Sequence, residues 1–286
     1  MATIIDGKKV SQKIREELKE ECEEIRKQGI IPKLAVIMVG DNPASKVYVK
    51  NKNKACQEIG IEYEEYFLNS EITQEKLIEL IEDLNTRKDI NGILLQSPIP
   101  NHLDINEAFR KISPEKDVDG FHPENVGKLI LNQDTFVSCT PYGIMKLFAE
   151  YNIDLTGKHV VILGRSNIVG KPLISCCLNR NATITVCHSK TENLEEHTKK
   201  ADILIVAIGR ANFVKKEMVK EGAVIIDVGI NRTDEGKLIG DVDSENVKDV
   251  AGYITPVPGG VGPMTIAMLM NNVIKAARLQ SKNKKD

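Results

Sequence analysis

Between Ala44 and Ile59 the sequence sets a hydroxyl, a phenol and an amine at steps of three and four, as Ser45, Tyr48 and Lys52. On a helix these positions fall within an arc of about 60°, so the three groups can address one ligand. The same face carries Val49, Ala55, Cys56 and Ile59, while Lys46, Lys50 and Lys54 gather opposite with Asn53 and Gln57. Lys52 therefore stands in a mostly apolar stripe. Two fates are open to it: to snorkel past its neighbours into solvent, or to sit partly desolvated with a lowered pKa and a neutral amine available as a base. Further on, the apolar run Gly92 to Leu95 ends in Gln96, either a plain polar strand end or a donor and acceptor at the mouth of a site, and the loop PEKDVDGFHP follows with Asp117, Asp119 and His122. Two carboxylates two residues apart suit a metal, but no further ligands are spaced to complete a shell, so no metal is expected.

A second constellation begins where the apolar run His159 to Leu163 stops at Gly164 and continues Arg165-Ser166-Asn167-Ile168-Val169-Gly170 before a new helical pattern. Small residues at Gly164, Ser166 and Gly170 would let backbone N–H groups at a helix N-terminus approach a pyrophosphate. The spacing departs from GxGxxG, since Ser166 replaces the second glycine and Val169 the third, and Ile168 excludes a GxSxG nucleophile elbow. An ordinary glycine turn is the alternative. About 20 residues on, where an NAD site offers a carboxylate to the ribose diol, the chain reads His188-Ser189-Lys190-Thr191. Arg165 with Ser189 and Lys190 suits a 2′-phosphate instead, favouring NADP over NAD, against the alternative of a merely solvated arginine. The last motif, TPVPGGVGPMT from Thr255 to Thr265, packs three prolines and three glycines into one rigid loop, which lets backbone lie against a flat ligand.

Alternating elements must hold these groups. An amphipathic helix is expected over 7–28, then strands at 33–40, 61–68 and 92–96 with helices from 44 to 59 and 73 to 84 between them. The second half reads as a helix over 141–151, strands at 159–163, 182–189, 201–209 and 223–231, a helix from 265 to 279, and a frayed tail SKNKKD. The expected fold is α/β with two α/β domains, the second a Rossmann-like doubly wound parallel sheet. A chain of 286 residues, 41% hydrophobic and 28% charged, with a formal net charge of −2, offers no electrostatic case for nucleic acid. It also contains no run approaching a membrane span, and its start, MATIIDGKKV, has no leader pattern, so a cytoplasmic location is expected. The six cysteines show no CxxC pair or zinc spacing and are expected as small core residues.

Taken together, GDNPASKVYVKNK, GILLQSPIP, PEKDVDGFHP, GRSNIVGKP, CHSKT and PVPGGVGPMT resemble, in this order, the bifunctional methylenetetrahydrofolate dehydrogenase/cyclohydrolases of one-carbon folate metabolism. The resemblance implies a folate-side domain over 1–140, completed by a C-terminal helix at 265–286, an NADP domain over 141–264, and an active-site cleft between them. It implies that Tyr48 stacks on the folate, Lys52 is the catalytic amine, Gln96 tunes it and Asp119 grips the amino-pyrimidine edge of the pterin, with Asp117 structural. Ser45, Pro258, Gly259 and Gly260 complete the substrate contacts, and Gly164, Arg165, Ser166, Ile168, Val169, Gly170, His188, Ser189 and Ile230 are expected at the cofactor. A homodimer is also implied. Two rival readings stand beside this one: a shikimate-type NADP dehydrogenase, and an NADPH-binding regulator without turnover.

Overall fold

The structure, a computed structural model, describes residues 1–282; the last four residues of the tail expected to fray lie outside the described residues. In the first half the elements are β1 (Thr3–Ile4), α1 (Gly7–Lys27), β2 (Lys33–Val39), α2 (Pro43–Ile59), β3 (Glu62–Leu68), α3 (Gln74–Thr86), β4 (Gly92–Gln96), α4 (Ile105–Lys111) and α5 (Pro123–Ile130). After α6 (Cys139–Glu150) come β5 (His159–Leu163), α7 (Gly170–Leu178), β6 (Thr183–Cys187), α8 (Leu194–Thr198), β7 (Ile203–Val206) and β8 (Val224–Asp227). The chain ends with β9 (Asn231–Arg232), β10 (Leu238–Ile239), α9 (Ser244–Val247), β11 (Tyr253–Ile254) and α10 (Val261–Lys282).

The chain divides into two compact units, residues 12–137 with 266–286, and residues 1–11 with 138–265. The first has a three-stranded parallel sheet in the order β3-β2-β4. Its central strand is buried on both faces, which is why KLAVIMV reads as a continuous apolar run rather than an alternating one. Ala35, Ile37 and Val39 face a core built with Ile93 and Leu95 of β4, Leu77, Ile81 and Leu84 of α3, and Ala108 of α4. By the two-residue period of a strand, Gln96, paired with Met38, lies on the opposite face.

The second unit has a six-stranded sheet, β1-β11-β8-β7-β5-β6, parallel throughout. Sequence order reverses around β5, which has β6 on one side and β7 on the other, so the turn after β5 sits at the switch point where such sheets take ligands.

The boundaries differ from expectation at the N-terminus. Residues 1–11 belong with the second unit because β1 pairs with β11, and two residues are too few to read as a strand from pattern alone. Helix α10 begins at Val261, four residues before the expected start, because Pro263 falls in a first turn whose N–H groups need no helical partner. Helices α4 and α5 have no counterpart among the expected elements, although Asp104 and His122 cap them by accepting from backbone N–H groups two and three residues on, and two on.

Candidate functional site

Helix α2 starts where Asn42 accepts a hydrogen bond from Ser45 N–H and Pro43 occupies the first turn, and it stops at Gly60, whose φ is 92°. That frame sets Ser45, Tyr48 and Lys52 on one face. Ser45 is buried and its hydroxyl makes no hydrogen bond among the described residues; Tyr48 is 44% exposed; Lys52 is half-buried. Of the two fates open to Lys52, full extension into solvent is excluded, because its Nζ donates to Gln96 Oε1 at 2.7 Å. Gln96 is itself buried, and its Nε2 donates to the Ser97 carbonyl at 2.6 Å, which aims the amide oxygen at the amine. Amine and amide, 44 residues apart in sequence, form one unit.

The half-buried Asp119 rides on a loop fixed on both sides. A parallel bridge joins Ile93 to Asp117, so the chain leaves it running beside β4 toward the end that carries Gln96. Lys116, 5% exposed, donates to the carbonyls of Leu84, Asn85 and Arg87 at the C-terminal end of α3, where a cation is favoured. Asp117 accepts from Phe121 N–H, His122 N–H and Asn125 Nδ2, the pattern of a loop-building carboxylate, while its burial pushes its pKa up. Asn272 of α10 donates to the Val118 carbonyl at 2.8 Å. Sequence reasoning passed over Lys116 and Asn272; a buried cation and a buried amide that bond backbone at such distance leave no local signal.

In the second unit the turn after β5 is tight because backbone occupies the space a side chain would need. A Cβ on Gly164, whose φ is 114°, would lie 2.2 Å from the Ala207 carbonyl oxygen, and one on Gly170 2.3 Å from the Gly164 carbonyl oxygen. Ser166 has a sharper role than smallness: its hydroxyl accepts from Val169 N–H and Gly170 N–H and so braces the turn that leads into α7. Arg165 and Ile168 are exposed, and Arg165 makes no hydrogen bond or ion pair among the described residues. Beyond β6, His188 Nδ1 accepts from Lys190 N–H while Thr191 Oγ1 accepts from His188 N–H, leaving Ser189 and Lys190 exposed on a braced turn. A close-approach turn at the switch point, with exposed Arg165, Ser189 and Lys190 and no carboxylate from Cys187 to Thr191, fits NADP.

Ile230, 49% exposed, and the loop Pro256–Pro263 line one cavity of about 120 Å³, which brings Ile230 together with Pro258, Gly259 and Gly260. The Gly259 carbonyl is held by Lys8 N–H at the start of α1. The structure thus gathers the expected residues into a Lys52–Gln96 centre with Ser45 and Tyr48 beside it on α2, an Asp119 loop, a turn after β5, and a glycine-proline cavity.

Residues 5–119 match the catalytic domain of the tetrahydrofolate dehydrogenase/cyclohydrolase family and residues 138–281 its NAD(P)-binding domain. A Bacillus subtilis protein described as bifunctional protein FolD is 55% identical over 277 residues, which cover 97% of this chain and 98% of that one. The crystal structure of the Campylobacter jejuni bifunctional enzyme FolD, a methylenetetrahydrofolate dehydrogenase/cyclohydrolase, is 52% identical with a TM-score of 0.96, covering 98% of this chain and 99% of that one. The Trypanosoma brucei enzyme of the same description, solved with NADP cofactor and an inhibitor, is 36% identical with a TM-score of 0.94 at 98% and 99% coverage. Matched in both halves by family and over nearly all its length by relatives that share more than half its residues, the chain belongs to the tetrahydrofolate dehydrogenase/cyclohydrolase family.

Proposed function

We propose that this chain oxidises 5,10-methylenetetrahydrofolate to the 5,10-methenyl cation with NADP and then hydrolyses that cation to 10-formyltetrahydrofolate. The observation that carries the reading is the Lys52–Gln96 contact, an amine held by a fixed acceptor within a chain whose family performs both steps. Neither a shikimate dehydrogenase nor a regulator without turnover accounts for that contact together with the family match.

Oxidation needs little acid-base work from the protein, because the folate nitrogen's own lone pair assists hydride loss and positioning does the rest. NADP, when bound, supplies the hydride acceptor. Gly164 and Gly170 give its pyrophosphate close access to backbone, Arg165 and Ser189 take the 2′-phosphate, and Ser166 holds the turn in shape. Ile168, Val169, His188 and Ile230 complete the cofactor contacts.

Hydration needs a base. A neutral Lys52 can donate one N–H to Gln96 and still present its lone pair, so it takes a proton from the water whose oxygen bonds to the methenyl carbon; opening of the ring at a folate nitrogen then returns a proton to that nitrogen. The neighbouring substrate cation favours the neutral amine. Asp119 accepts the adjacent N–H donors of the amino-pyrimidine in bidentate fashion, the exposed Tyr48 ring stacks on the folate, and the bondless Ser45 hydroxyl gains a partner from the ligand. Pro258, Gly259 and Gly260 lay backbone against its flat ring.

We further place the enzyme in the cytoplasm as a homodimer. No described helix is long and apolar enough to cross a membrane, the cysteines are buried thiols, and β3 is an open sheet edge with Phe67 59% exposed; sedimentation at two loading concentrations tests the dimer. For the activity, the purified chain is mixed with methylenetetrahydrofolate and NADP, and both NADPH and the methenyl absorbance are followed. Transient methenyl signal with NADPH formation is expected. NADPH formed with shikimate and none with the folate would overturn the reading.

A further inference from the structure

Two carboxylates of the second unit, Asp227 and Asp241, are buried at 2% and 0% exposure and take no part in the chemistry described above. Asp227 closes β8; its Oδ1 accepts from Gly229 N–H at 2.9 Å and Asp241 N–H at 3.0 Å, and its Oδ2 from Val242 N–H at 2.9 Å. Asp241 Oδ2 accepts from Ile208 N–H at 2.8 Å and Gly209 N–H at 2.9 Å. Its Oδ1 accepts from Arg210 N–H at 2.8 Å and Asn231 Nδ2 at 2.9 Å. The packing is reciprocal: a Cβ on Gly229 would lie 2.2 Å from Asp241 Cγ, and a Cβ on Gly240 1.8 Å from Asp227 Oδ2. The sequence carries the trace as Asp-Val-Gly at 227–229 and Gly-Asp-Val at 240–242. Four donors converge on a carboxylate away from water, an arrangement that holds one geometry rather than several.

What Asp241 holds is the backbone just past β7 and the side chain of Asn231 just past β8. In the order β8-β7-β5-β6, a dinucleotide with its pyrophosphate at the turn after β5 and its 2′-phosphate on the β6 side must send its other half over the ends of β7 and β8. We propose that Asp241 is a positioning residue for the nicotinamide half of NADP: it touches no ligand, but fixes Ile208–Arg210 and the Ile230–Asn231 segment in the arrangement that receives it. This rests on the NADP reading given above.

The experiment compares the full-length wild type with Asp241→Asn, whose amide must direct an N–H₂ at one of the two donor pairs. Binding of NADPH, and of 2′,5′-ADP, which lacks the nicotinamide half, is measured calorimetrically, and methenyl hydrolysis is assayed without nucleotide. The expected result is a loss of NADPH affinity of about tenfold or more, with 2′,5′-ADP binding and hydrolysis within twofold of wild type. NADPH affinity within twofold of wild type would overturn the proposal, as would an equal loss for both ligands, which marks a structural role alone. If the Asn variant does not fold, Asn231→Ala removes one bond to Asp241 and should lower NADPH affinity several-fold, again sparing 2′,5′-ADP; no change there would also overturn the proposal. A wild type that binds neither ligand would sink the NADP reading itself, an outcome distinct from either of the others.

Discussion

Replacing Lys52 with Met should separate the two activities. The Met stem keeps the length and packing of the lysine on its half-buried face, so no cavity confuses the result. Two losses remain and they register in different assays. General-base catalysis contributes 10²- to 10⁴-fold, about 2.7 to 5.4 kcal/mol of barrier, and this should vanish from methenyl hydrolysis. Gln96 Oε1, in a residue 8% exposed, loses the donor that now stands 2.7 Å away, which should lower folding stability by about 1–3 kcal/mol and appear as a drop in Tm. Hydrolysis is followed as decay of the methenyl absorbance, and oxidation as NADPH formation in a parallel sample. Hydrolysis is expected to fall at least 10²-fold while NADP reduction persists and the methenyl compound accumulates. Gln96→Leu should also slow hydrolysis, and the double variant should lose little more than Lys52→Met alone, because amine and acceptor act as one unit. Wild-type hydrolysis in the Met variant would refute the assignment.

Arg165→Ala should weaken NADP by about 1.5–3 kcal/mol, seen as roughly a 10- to 100-fold rise in KM, and leave NAD almost untouched; equal losses would disprove a 2′-phosphate contact. Asp119→Asn turns half an acceptor into a donor facing pterin donors, so oxidation and hydrolysis should decline together by tenfold or more, and normal folate binding in that variant would move the role elsewhere. The Arg87 guanidinium, then the Tyr66 hydroxyl and Lys33, hold the Glu64 carboxyl down to about 2. Because the folded value lies below the unfolded one, this carboxylate contributes stability that is complete above the ordinary carboxylate range and is lost as pH falls toward 2. Arg87→Met should therefore reduce stability at neutral pH and flatten the acid limb of a denaturation curve, and an unchanged limb would contradict the linkage.

The parts legible from sequence were those governed by local period or by a short motif. Strands β2, β4 and β5 announce themselves as apolar runs, and the face of α2 follows from helical spacing, which is why Lys52 stands out in the sequence. What escaped was non-local. The partner of Lys52 lies on another strand, and only the fold brings Gln96 Oε1 to its amine. Lys116 and Asn272 bond backbone groups that nothing in their own neighbourhoods predicts. Ser166 stands in place of a glycine and its type suggests only smallness, whereas its hydroxyl braces the turn into the next helix. Helices α4 and α5 are a different kind of miss, since seven and eight residues are too short for periodicity to assert itself and only the capping residues mark them.

The division of the chain has a consequence for how it is made. Thr3 pairs with Tyr253, and the loop carrying Asp119 is tied to Asn272, so each unit joins early residues to late ones. On the ribosome, residues 12–137 emerge before 138–265, yet they wait for 266 onward before α10 can dock, and the six-stranded sheet lacks its β1–β11 edge until residue 254 has appeared. The half synthesised first is the half completed last. Closing such long loops carries an entropic cost that grows slowly with length, but the delay leaves apolar strands exposed throughout translation. A chain cut after residue 265 would lose part of the unit that holds Lys52 and Asp119 while keeping every residue of the unit that holds the dinucleotide turn.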